Sequence, residues 1–316
     1  MKKIAHLFPG QGAQVVGMGK EFSDVYPTAR HTFQEADDLL HLPLSKLVFD
    51  GPDTELNQTL FSQLGLFVSS MAMARVLKEQ FPHIVPTAVA GLSLGEYTAI
   101  AASSRLTFKD ALDLVAHRGQ FMNDACQEVR GTMAAVLGME PSALQGAISA
   151  IDGVWIANYN CPGQIVISGT IDGVARATAR LQEAKMARVV SLTVHGAFHS
   201  PLMQGAQDRL APFIGRAPFA KGSSDLVMNV PGRFVEDSEI QSFMISQVTS
   251  PVRWEQGVRA LEERKMDLYL EIGSGKTLTA MMRKIGIQGK ILPINGVKDL
   301  DTLALEWEKC GCTHNC

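Results

Sequence analysis

The sequence has little of what a secreted, membrane-spanning or nucleic-acid-binding protein needs. Its 316 residues include five cysteines, an odd number, with Cys310, Cys312 and Cys316 crowded at the carboxyl terminus. That is no disulfide framework, and a reducing compartment is expected. No run reaches the ~18 uninterrupted apolar residues of a membrane helix. The opening segment breaks at Pro9 and Gly10 before a signal-peptide core can form. A cytoplasmic protein without a membrane partner is therefore expected. Lys and Arg number 29 against 32 Asp and Glu, the net charge is -3, and no block of basic residues occurs. Nucleic acid is not expected as a partner. There is also no internal repeat and no low-complexity linker. What is present is apolar: 46% of residues are hydrophobic and 19% charged, enough for a sizeable core in one large domain or two ordinary ones.

Periodicity predicts a strand over 3–8 that runs into the stop signal Pro9-Gly10-Gln11-Gly12. Apolar residues recur at helical spacing over 18–40 and 59–80, the second including Leu60, Leu64, Phe67, Val68 and Met71. A short strand over 87–90 leads into Gly91-Leu92-Ser93-Leu94-Gly95, and helical periodicity resumes over 96–103. From 131 the rhythm changes. Strands over 132–138, 154–158, 164–169 and 187–194 and helices over 141–150 and 172–185 make β-α-β-β-α-β, the order of a ferredoxin-like unit. The expected organisation is an α/β protein in which a small domain, 131–195, interrupts a larger one spanning 1–130 and 196–309. In the larger one, helices are expected over 203–213 and 251–264 and a strand over 267–272. Residues 310–316 are expected to form a flexible tail.

Gly91-x-Ser93-x-Gly95 between strand and helix has the form of a nucleophile elbow, in which small residues permit a tight turn and expose the hydroxyl. The N–H of Leu94 could then face a developing oxyanion. The plainer alternative is a serine N-cap with glycines serving the turn. A serine needs a base. His6, His31, His41, His83 and His314 have nothing convergent beside them, whereas His199 lies in Val194-His-Gly-Ala-Phe-His-Ser-Pro201, a strand-to-helix loop. His195 competes with it there, and a capping role is also open. Arg118, in a helical stretch of apolar and small neighbours, suits a carboxylate in two-point contact, or else a surface salt bridge. Gly273-Ser-Gly-Lys-Thr277 resembles a phosphate-binding loop but has Leu270 where the first glycine is required. Gly10-x-Gly12 opens like a dinucleotide fingerprint but has Val15 at the third glycine position. The Cys-rich tail fits neither common zinc spacing, so no metal is expected.

The chain as a whole resembles the malonyl-CoA:acyl-carrier-protein transacylases over roughly residues 3–305. The resemblance is carried by Phe8-Pro-Gly-Gln-Gly-Ala-Gln14, Gly91-Leu-Ser-Leu-Gly-Glu-Tyr97, Arg118-Gly-Gln-Phe-Met122, Ala157-Asn-Tyr-Asn160, Gly196-Ala-Phe-His-Ser-Pro201, Gln247 before Pro251-Val-Arg-Trp254, and Glu271-Ile-Gly-Ser-Gly275. It implies an α/β-hydrolase-like large domain with an inserted ferredoxin-like small domain. It implies Ser93 as nucleophile, His199 as base, and the backbone N–H groups of Gln11 and Leu94 as oxyanion hole. Arg118 would bind the malonyl carboxylate, and Gln247 would orient His199 through its backbone carbonyl. Phe198 would occupy the space that a methyl on the acyl C2 needs, a preference worth about 1 to 3 kcal/mol. The implied reaction is ping-pong, from malonyl-CoA, a substrate and not a cofactor, to the phosphopantetheine thiol of acyl carrier protein. No cofactor is expected, and a discrete monomer is.

Two positions depart from the family pattern. Leu92 stands where His or Gln is common, and His195 stands where a small polar residue is usual. Three other readings accompany the main one: a malonyltransferase serving a polyketide assembly line, a serine acylhydrolase, and a catalytically silent carrier-docking protein.

Overall fold

Alternate residues of the first strand belong to different cores, which puts that strand in the middle of a sheet covered on both faces. Ile4 and Phe8 pack in one apolar cluster, Ala5 and Leu7 in another. A computed structural model of the chain describes residues 2–194 and 196–311. In chain order its strands are β1 (Ile4–Phe8), β2 (Ala88–Gly91), β3 (Gly131–Leu137), β4 (Val154–Cys161), β5 (Gln164–Thr170) and β6 (Arg188–Ser191). There follow β7 (Asp225–Met228), β8 (Arg233–Val235), β9 (Val252–Arg253), β10 (Leu268–Ile272) and β11 (Lys290–Ile294).

One sheet has the order β11-β10-β1-β2-β7-β8, parallel except for β8. The other has the order β6-β3-β5-β4-β9. Its first four strands are antiparallel neighbours joined by the helices Pro141–Ile148 and Ile171–Glu183, which is the expected ferredoxin-like unit. The fifth, β9, lies parallel to β4 and comes from the outer part of the chain, so the two units share a sheet edge. This is the expected fold class: an α/β-hydrolase-like unit interrupted by a ferredoxin-like one.

The helix Thr59–Gln80 has the length and composition to span a membrane, but 78% of its most apolar window is buried inside the protein. Its polar residues Ser62, Gln63, Ser69 and Ser70 are buried too. Apolarity on every side here marks a central helix, packed against the helices Pro27–Leu40 and Phe108–Glu128. The latter starts at Thr107, whose Oγ1 accepts the Asp110 N–H at 3.1 Å.

Three expectations are corrected. The helical stretch 18–40 is two helices, Lys20–Val25 and Pro27–Leu40, because Pro27 forces the extended conformation seen at Tyr26. The expected helix 251–264 begins only at Trp254, after β9. The terminal helix Lys298–Gly311 takes in positions 310 and 311, so the tail does not begin at 310. Cys312, His314 and Cys316 lie outside the described residues.

Candidate active site

Strands β1, β2 and β7 are neighbours, and the turns at their carboxyl ends bring Gln11, Ser93 and Asn229 together. In parallel sheets that edge is where ligands bind. After β2 the chain reverses sharply into the helix Gly95–Ala102, and Ser93 takes φ 53, a left-handed conformation that is uncommon outside glycine. A Cβ on Gly91 would lie 1.9 Å from the Gly95 carbonyl, and one on Gly95 would lie 2.1 Å from the Phe8 oxygen. Close approach within the turn and against β1 therefore demands both glycines. Ser93 does not cap the helix: the N-cap is Leu94, and the Ser93 hydroxyl faces His199.

His199 Nε2 is 2.8 Å from Ser93 Oγ, and Nδ1 is 2.9 Å from the Gln247 carbonyl oxygen. A carbonyl can only accept, so Nδ1 carries the proton and Nε2 is left to take the one on Ser93. Burial, with the nearby positive charge of Arg118, pushes the imidazole down to about 4, the backbone hydrogen bonds acting the other way. His199 is therefore neutral at pH 7. Like Ser93 it has positive φ, 57, so both members of the dyad are held in strained backbone. His195 lies outside the described residues.

Arg118 is 1% exposed, which removes the surface salt-bridge reading. Its guanidinium donates to Gln63 Oε1 at 2.5 Å, to Gln247 Oε1 at 3.1 Å and to Ser93 Oγ at 3.1 Å, and its Nε has no partner among the described residues. Every acceptor is neutral. A buried cation with no directly bonded anion among the described residues, beside the Ser93 hydroxyl, suits an anionic ligand.

Neither the Gln11 nor the Leu94 N–H is spent on another protein group among the described residues, which leaves both donors for an oxyanion. The Ser93 N–H, by contrast, is taken by Asn229 Oδ1 at 2.6 Å. The dyad opens on a cleft of about 540 Å³ between the two sheets, lined by Gln11, Leu92, Met122, Asn160 and Phe198 among others. Phe198 is buried at its wall.

Sequence reasoning missed four contributors. Gln63 holds Arg118. Asn229 holds the Ser93 amide and, through Nδ2, the Gly91 carbonyl at 2.7 Å. The Gln247 side chain, beyond its carbonyl, donates to the Ser93 carbonyl and to Glu96 Oε1, each at 2.9 Å. Glu96 is wholly buried and is raised to about 8, burial outweighing its hydrogen bonds and the attraction of Arg118. One signal was available: a glutamine, Gln63, among the largely apolar residues of the helix Thr59–Gln80. The phosphate-loop likeness at 273–277 also has a physical resolution. Glu271 accepts the Leu278 N–H at 2.9 Å, the Thr279 N–H at 2.7 Å and the Thr279 hydroxyl at 2.6 Å, so the protein's own carboxylate fills that helix end.

The acyl transferase domain family matches residues 5–299. The malonyl CoA-acyl carrier protein transacylase of Bacillus subtilis (strain 168) is 40% identical over 310 residues, 96% of each chain. Among solved structures, the transacylase of that name from Clostridium perfringens aligns with a TM-score of 0.94 at 32% identity, covering 99% of this chain and 100% of its own. A malonyl-transacylase solved in complex with its type II polyketide acyl-carrier protein aligns at 0.91 and 33% identity, covering 95% and 98%. The matches run the length of the fold and include every turn that builds the site, and the chain belongs to the malonyl CoA-acyl carrier protein transacylases, a family of acyltransferases.

Proposed function

We propose that the chain moves a malonyl group from malonyl-CoA to the phosphopantetheine thiol of acyl carrier protein through a malonyl-Ser93 ester, supplying fatty acid synthesis. His199 Nε2 takes the hydroxyl proton as Ser93 Oγ attacks the thioester carbonyl. The negative charge formed on the carbonyl oxygen faces the N–H groups of Gln11 and Leu94. Coenzyme A leaves as the thiol, with the proton returned by His199, and the carrier thiol then repeats the steps in reverse. No cofactor enters this scheme. The observation that carries the reading is the Arg118 guanidinium, buried and 3.1 Å from the nucleophile oxygen. An acyl group ending in a carboxylate supplies the anion it lacks. Once paired, Arg118 also depresses His199 less, so an acidic acyl group strengthens its own base.

Phe198, at the cleft wall, disfavours a branched acyl C2. The large domain is taken as 1–130 with 196–309 and the small one as 131–195, in a monomeric cytoplasmic enzyme. A polyketide carrier protein would use the same chemistry, and the likeness to the transacylase solved with such a carrier favours testing it. Intact mass spectrometry after mixing with malonyl-CoA gives the test. A malonyl adduct is expected on the natural protein and none on Ser93→Ala. Added fatty acid or polyketide acyl carrier protein should then remove the adduct and gain its mass. Loss of the adduct to water alone would make the chain a hydrolase, and no adduct on the natural protein would leave it a silent carrier-docking protein.

A further inference from the structure

Resting on that reading, we infer that Glu96 is a positioning residue for acidic acyl groups: it fixes the sense of the Gln247 side-chain amide and, through it, the place of the Arg118 guanidinium. Glu96 sits in the first turn of the elbow helix, and neither of its oxygens is free. Oε2 accepts the backbone N–H of Asn229 at 2.6 Å, and Oε1 accepts from Gln247 Nε2 at 2.9 Å. Both neighbours are donors, so each Glu96 oxygen acts as an acceptor, and these two bonds work against the burial that raises the group.

Gln247 is fully buried, and its amide could in principle face either way. The accepting Oε1 of Glu96 decides. The NH2 must point to Glu96, with the second proton on the Ser93 carbonyl at 2.9 Å, and the oxygen must then face Arg118 Nη2 at 3.1 Å. Gln63 supplies a second amide oxygen on the other side of the guanidinium. Arg118 is thus held by two neutral amide oxygens besides the Ser93 hydroxyl, with the Glu96 carboxyl group one amide removed. Its charge stays available for a ligand. A flipped Gln247 would set NH2 against guanidinium N–H and push Arg118 from the nucleophile.

Glu96→Gln tests this, because the Asn229 N–H cannot turn round. The new amide must give its oxygen to Asn229 and its NH2 to Gln247, which forces the flip. Rates of acyl-enzyme formation are compared for malonyl-CoA and acetyl-CoA. The malonyl-to-acetyl ratio is expected to fall by about tenfold or more, the loss of one charge-assisted hydrogen bond. Gln247→Leu keeps the carbonyl that orients His199 but removes the acceptor of Arg118, so it should lower the ratio similarly. The double variant should lower it no further. Equal losses with both donors would make Glu96 merely structural, and a higher ratio would make it a competitor of the substrate charge; either overturns the inference. If Glu96→Gln gives no cooperative melt, Gln247→Leu decides alone, and an unchanged ratio overturns the route through Gln247. The natural protein is assayed alongside: if it forms no malonyl adduct, the proposed function has failed, whereas a normal adduct with unmoved ratios in the variants defeats only this inference.

Discussion

Two glycine-rich turns end neighbouring regions of the same parallel sheet, and they do opposite things with a helix amino terminus. After β2, Gly91 to Gly95 leads into a helix whose Leu94 N–H has no acceptor among the described residues, with the Ser93 hydroxyl beside it. After β10, Gly273 to Thr277 leads into the helix Thr277–Ile285, and the donors there are filled by Glu271 from the strand itself. Glycines make either turn possible by letting backbones approach. What separates a reactive anion site from a structural one is whether the fold supplies its own anion. Here the last residues of each strand decide it: Ala-Gly before the elbow, Glu-Ile-Gly before the other.

The sharpest break of this comparison removes the imidazole proposed as the base for the first turn. His199→Ala should lower malonyl transfer by about 10²- to 10⁴-fold with the fold intact. The pH profile of kcat/KM for the natural protein adds a check. Protonated His199 cannot accept the serine proton, and burial holds its imidazole at about 4. Activity should therefore stay level as pH falls through 6.5 and decline only toward 4. A midpoint near 6.5 would mean that the free enzyme keeps His199 solvated.

The second break empties the other turn. Glu271→Ala strips two backbone N–H groups and a buried hydroxyl of their acceptor, a loss of roughly 3 kcal/mol from unsatisfied donors. Urea unfolding should show that loss, while kcat/KM for malonyl-CoA in the folded protein moves by less than about tenfold. A reversed result, with stability kept and activity lost, would put this turn in the reactive site.

The reactive turn was largely legible in the chain and its supports were not, for a physical reason. Ser93, His199 and Arg118 each sit in a local pattern: glycines at two-residue spacing, a strand-to-helix loop, a cation among apolar neighbours. The ferredoxin-like order was legible too, since strand and helix periodicities alternate over 131–194. Asn229 and Glu96 have no such local mark. They meet across 133 positions because β7 lies beside β2, and β7 has only four residues, too few to show a period. The Gln247 carbonyl has no side-chain signature at all, because backbone atoms are common to every residue. Tyr26-Pro27 did carry its signal, and the break there follows from local sterics.

The smallest expected effect is at Leu92, the residue before the nucleophile. Its backbone is already committed: the N–H donates to the Phe8 carbonyl at 3.0 Å, and the carbonyl accepts the Gly95 N–H at 2.9 Å. It does not share the left-handed φ of Ser93, so leucine fits without strain. Its side chain packs against the edge of the apolar cluster that holds Leu7, Leu278 and Met281 and lines the cleft, and it carries no group that can move a proton or bind a carboxylate. Leu92→His should therefore change kcat/KM with malonyl-CoA by less than about tenfold, or ~1.4 kcal/mol of transition-state stabilisation. Steady-state rates of the two proteins with malonyl-CoA and carrier protein measure it. An inactive natural protein rescued by histidine would mean that the elbow needs a polar side chain ahead of its serine. The two turns would then differ in a requirement that backbone donors alone do not meet.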